Sequence, residues 1–170
     1  MIFGTQKANS KTDAIVTAIR PVMERAATQH GLPTGFWTDA YALGFLMGQI
    51  NAHLADMDGE KLSVNERGKI LVECFGALSG QKGKPLSEMA MVFAAQKNPD
   101  FLRANQNGMF MAKFKNGTLP DADQQPPVRA AEAELNEAGQ EVTLQSVEAV
   151  LLRDHWVEEI RERFLVGNAG

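Results

Sequence analysis

The run FWTDAYALGFLMGQINAHLA, residues 36–55, constrains the fold more than any other stretch. It is apolar nearly all round, so it predicts a central helix buried on most sides, from about Phe36 to Ala55. Within it Ala40, Gly44, Gly48 and Ala52 recur at a spacing of four and share one stripe. A glycine inside a helix costs about 1 kcal/mol relative to alanine. Close approach of another backbone is the usual compensation, so the stripe reads as a helix-packing face. A membrane span needs about 20 apolar residues. Here Gln49, Asn51 and His53 interrupt sooner, so no membrane partner is expected.

The flanking sequence repeats the helical period. Ile15, Ile19, Val22, Met23 and Ala26 mark an amphipathic helix with Thr12 as its cap, Pro21 as a kink and His30-Gly31 as its end. Ser63-x-x-Glu66 fits a capping box, in which hydroxyl and carboxylate satisfy each other's backbone N–H groups. It opens a helix through Ile70, Leu71, Cys74, Phe75 and Leu78 that Gly80 ends. Another is predicted from Ser87, with Leu86 and Met91 as a staple. The next opens at Asn98-Pro99, with a break at NQNG, 105–108, and a stop at Asn116-Gly117. Residues 118–127, TLPDADQQPP, read as a linker. A weak helix, PVRAAEAELNEA, and a last one over about Thr143–Leu165 follow, and EVTLQ is the one short strand candidate. The expectation is an all-α protein: a compact bundle of about five helices over 1–117, a linker over 118–127 and a two-helix arm over 128–170.

Charge divides the chain at the same place. Residues 1–116 carry nine Lys and four Arg against ten acids, +3, whereas 117–170 carry four Arg against eleven acids, −7. Such asymmetry lets the acidic arm dock on the basic part, within one chain or across a dimer. The net charge of −4 argues against a nucleic-acid partner. One cysteine, Cys74, excludes an internal disulfide and sits in the apolar run ILVECFGAL, as a small buried hydrophobe does. The opening MIFGTQKANSK has no apolar stretch of signal-peptide length, and cytoplasmic residence is the expectation.

Three motifs resemble chemistry and fail on spacing. ADMDGEKLSVNE, residues 55–66, begins like a calcium loop. With Gly59 at position 6, Asp56 and Asp58 fall at 3 and 5, but position 1 is Leu54, position 8 is Lys61 and position 12 is Asn65. The stretch reads instead as a polar turn with a positive φ at Gly59. GQKGKP, 80–85, lacks the upstream glycine and the hydroxyl of a phosphate loop and reads as a flexible interhelical loop. His53-x-x-Asp56 and His155-x-x-Glu158 each put an imidazole and a carboxylate on one helix face, and two such helices could share a divalent metal. The di-iron order, Glu before His, does not occur.

Phe36, Trp37 and Tyr41 could line a pocket at the start of the central helix, although aromatics at helical spacing more often build core. Met89, Met91, Met109 and Met111 would suit an adaptable groove, or fill gaps. The function expected is therefore a non-catalytic helical protein acting through protein contacts, as a homodimer or adaptor, with no cofactor. A metal-dependent bundle enzyme using His53, Asp56, His155 and Glu158, and a small-molecule binding module at Phe36, Trp37 and Tyr41, are the alternatives.

Overall fold

Helix α1, Phe3–Glu24, begins well before Thr12 in the computed structural model, which describes residues 3–58 and 61–165. Thr12 is therefore no cap. It is buried in mid-helix, and its hydroxyl donates to Glu73 Oε2 at 2.8 Å. The helix passes Pro21 and stops at Glu24 rather than at His30-Gly31. Thr28 and Gly31 instead close a tight turn by exchanging backbone hydrogen bonds of 2.9 and 3.0 Å, with Gly31 at a φ of 92°. That left-handed backbone suits glycine.

The central helix starts later than the apolar run suggests. Phe36–Thr38 forms a separate 3-10 turn, and Asp39 is extended. The Asp39 carboxylate accepts from Ala42 N at 2.9 Å, which makes it the cap of helix α2, Ala40–Asp58. The positive φ expected at Gly59 lies outside the described residues.

Helix α3, Val64–Ser79, carries the Ser63/Glu66 capping box and ends at Gly80, whose φ is 68°. Helix α4, Gly83–Ala95, begins before the predicted Ser87, and GKP is its first turn rather than a flexible loop. Two physical facts explain this. Pro85 falls in the first turn, where a missing N–H costs little. Gly83 packs so closely on α3 that a Cβ there would stand 2.6 Å from Gly76 N.

Helix α5, Pro99–Lys115, is capped by Asn98 and runs unbroken through NQNG. Gly108 serves close approach instead of a turn, since a Cβ on it would lie 3.0 Å from the Phe45 carbonyl carbon. The fit is reciprocal: a Cβ on Gly44 would stand 2.5 Å from Phe101 O, and one on Gly48 3.0 Å from Met109 N. Helices α2 and α5 thus meet backbone to backbone along their length.

The stretch 118–127 contains a 3-10 turn, Ala122–Gln124, and helix α6, Pro126–Glu137, starts inside it. Thr143 caps helix α7, Leu144–Leu152, so EVTLQ forms a helix start rather than a strand. A π-helical turn, Arg153–Val157, then joins α7 to α8, Glu158–Leu165. The chain is all-α: an isolated bridge at Thr28 and Gly31 is the only β feature among the described residues. One hydrophobic cluster unites Ile15 and Ile19 of α1, Phe45 and Ile50 of α2, Phe75 of α3 and Phe101 of α5 with Leu135, Leu151, Trp156 and Ile160. No helix among the described residues is long and apolar enough to cross a membrane.

Candidate functional site

Two polar clusters and one cleft hold the groups with chemical potential. The first cluster surrounds Tyr41, which is wholly buried at the start of α2. The guanidinium carbons of Arg103 and Arg163 lie 4.9 and 4.8 Å from its ring centroid, as cation–π contacts require. Its hydroxyl donates to the His155 carbonyl at 2.6 Å and accepts from Asn107 Nδ2 at 3.0 Å. Both arginines are neutralised. Glu159 clasps Arg103 through both carboxylate oxygens, and Arg163 Nη2 meets Asp100 at 2.9 Å, with Asp39 3.5 Å from Nη1. Burial raises the Tyr41 phenol, against the hydrogen bond from Asn107. The Glu159 hydrogen bonds raise the Arg103 guanidinium. A protonated phenol and two ion-paired guanidinium groups make this a clasp between α2, α5 and α8, in which Arg163 Nε is buried without a hydrogen bond, 3.9 Å from Glu159 Oε2.

The remaining aromatics of that region belong to the core. Phe36 is buried edge-on to Trp37 at 5.0 Å and to Trp156 at 5.8 Å. Trp37 is half-buried against the same cluster.

The second cluster gathers around Asp56 at the end of α2. Asn116 Nδ2 donates to Asp56 Oδ2 at 2.8 Å and lies 3.2 Å from His53 Nδ1, and Thr118 Oγ1 donates to the same carboxylate oxygen at 3.1 Å. Desolvation lowers the His53 imidazole; Asp56 opposes this and Lys115 adds to it. His155 sits in the π turn, edge-on to Phe110 at 6.1 Å, and is likewise lowered by burial. Glu158 pairs with Arg161 at 3.0 Å. His53 and His155 thus face different neighbours. Among the described residues no three His, Cys, Asp or Glu side chains converge as a metal would need. The Cys74 thiol is buried and pushed up to about 12 by desolvation, the opposite of a reactive thiolate.

The cleft lies between the segment 25–34 and α8, and its volume is about 660 Å³. That falls in the range of small-molecule sites, which run from about 300 to 1,000 Å³. Ala26, Leu32, Pro33, Val157, Ile160 and Phe164 supply apolar lining. Arg25, Arg161 and Arg163 supply the charge and His30 a further polar edge, with no Asp or Glu among the described lining residues. Gly35 lies beside the α8 wall, since a Cβ on it would stand at ordinary contact distance, 3.6 Å, from Phe164 Cε1. Phe36, Trp37 and Tyr41 do not line it. Sequence reasoning missed this cleft because its two walls are far apart in the chain and neither carries a motif. The nearest signal was the basic pair Arg161 and Arg163 inside an acidic segment.

Against known proteins, the chain matches no family model, no curated protein and no solved structure.

Proposed function

We propose that the protein is a non-catalytic binding module that receives a small molecule in the cleft between residues 25–34 and α8. The observation that carries this reading is the cleft itself, about 660 Å³, lined in nearly equal measure by apolar side chains and by polar ones that include three arginines. Its hydroxyl nearest the histidine is already committed: Thr28 Oγ1 accepts from His30 N and lies 3.2 Å from the Gly31 carbonyl as donor. A melting screen against a broad small-molecule library tests the reading, with Ala27→Trp as the blocked control. Ala27 is an exposed lining residue, so a large ring there fills the cleft without entering the core. Ligands should raise the melting temperature of the wild type and not of the variant. A flat profile, or equal shifts in both proteins, removes the proposal.

A second reading, a homodimer or adaptor working through protein contacts, is favoured by one feature of α4. Met91 and Val92 are 54% and 50% exposed there, on the same solvent-facing side as Lys84, Glu88 and Ala95. Light scattering at high concentration decides it: a monomer that captures no partner counts against this reading.

A further inference from the structure

We infer that the ligand of this cleft is an amphipathic organic anion: an apolar chain ending in an anionic head group. The inference rests on the reading above and names the ligand class for that site. Its basis is how the charges around the cleft are compensated. Arg163 is already occupied by Asp100 and Asp39. Among the described residues Arg161 pairs with Glu158 alone, and the two side chains are 57% and 41% exposed. An exchange of that partner for a ligand costs little, because water and salt screen exposed pairs. Arg25, on the opposite wall, has no ion-pair partner among the described residues. Two available guanidinium groups thus flank an apolar trough of Leu32, Ile160 and Phe164, with no carboxylate side chain among the described lining residues to repel an anion. Another cavity, about 400 Å³ beside Phe114 and Val128, is of the opposite kind, since its lining includes Asp123 and Glu132.

The charge of the whole chain sharpens the prediction. At −4 it repels anions at long range, so attraction must come from groups within about 8 Å, the Debye length at physiological salt. Affinity for an anion should therefore fall as salt rises, although protein and ligand have the same net sign.

Calorimetric titration of the full chain with decanoate, decanol and decyltrimethylammonium, each below its aggregation threshold, tests this. Decanoate is expected to bind about tenfold tighter than either neighbour, the size of a charge-assisted contact. Arg25→Gln with Arg161→Gln should erase that margin. Both positions are exposed, so the double variant keeps the wild-type circular dichroism. Ala27→Trp should abolish binding. Equal binding of decanol, tighter binding of the cation, or a margin that survives the double variant would overturn the anionic class. If none of the three binds while the library screen still finds a ligand blocked by Ala27→Trp, the class alone falls. If the screen is silent too, the cleft reading falls with it.

Discussion

The Trp156 ring stacks on Phe45 with centroids 4.3 Å apart and planes 19° apart. Trp156 comes from the π turn near the end of the chain, and Phe45 from the middle of α2. Both are wholly buried. The acid-rich final third of the chain is therefore bound to the central helix by its largest side chain, with the Tyr41 clasp beside it.

Replacing Trp156 by alanine should cost about 3–5 kcal/mol, as loss of a large buried ring does. Deleting residues 118–170 removes the same contact together with Leu135, Leu151 and Ile160 of the shared cluster. The truncated chain is expected to lose its cooperative melting transition, read by circular dichroism. A sharp transition in the truncated chain would show instead that residues 1–117 fold alone.

Gly48→Ala should destabilise by about 1–3 kcal/mol, although alanine is the better helix former. The added methyl group meets the Asn105 carbonyl and Met109 N, and both are backbone that can move only by separating α2 from α5. Gly68 offers the control, since a Cβ there meets nothing within 4 Å. Gly68→Ala should be neutral or stabilising by up to about 1 kcal/mol. Chemical denaturation of the two variants checks the contrast.

Tyr41→Phe keeps the ring under both guanidinium groups and removes only the hydroxyl. The His155 carbonyl and Asn107 Nδ2 each lose a partner at 2.6 and 3.0 Å. The expected cost is about 1–3 kcal/mol, dominated by the buried groups left unsatisfied. Denaturant midpoints for wild type and variant measure it.

Acid should weaken the fold in a window set by two histidines. His53 and His155 are both lowered from the ordinary imidazole value of 6.5 by burial. As pH falls through about 6.5 the unfolded chain takes up protons that the folded chain does not, so stability falls with pH. The loss levels off once the native imidazoles are protonated too. His53→Gln should flatten part of this dependence in melting curves between about pH 7.5 and 5, above the range where carboxylates titrate. An unchanged slope would remove His53 from the account.

Helix boundaries were legible in the sequence where a side chain marks them. Ser63 with Glu66, Asn98 with Pro99, and Gly80 all act locally, so local reading finds them. The start of α4 was hidden because its cap, Lys82, makes no side-chain hydrogen bond, and the real determinant is how closely Gly83 lies on α3. NQNG was ambiguous in principle. A glycine permits either a turn or a close approach, and only the partner helix decides which. Thr12 failed as a cap for the same reason, since its partner Glu73 lies on another helix. The cleft was invisible at sequence level: Arg25 and Arg161 acquire a joint meaning only when α8 is laid beside the turn after α1.

The π turn at Arg153–Val157 fixes how α8 is rotated about its own axis. Such a turn holds one more residue than an α-helical turn, and each residue of a regular helix advances it by about 100°. Shortening this segment by a single residue would swing Glu159 and Arg163 a quarter of a circle away from Arg103 and Tyr41. Ile160 and Phe164 would leave the trough together with them. Clasp and cleft are in this sense one phase-locked device, set by a count of residues rather than by which residues they are.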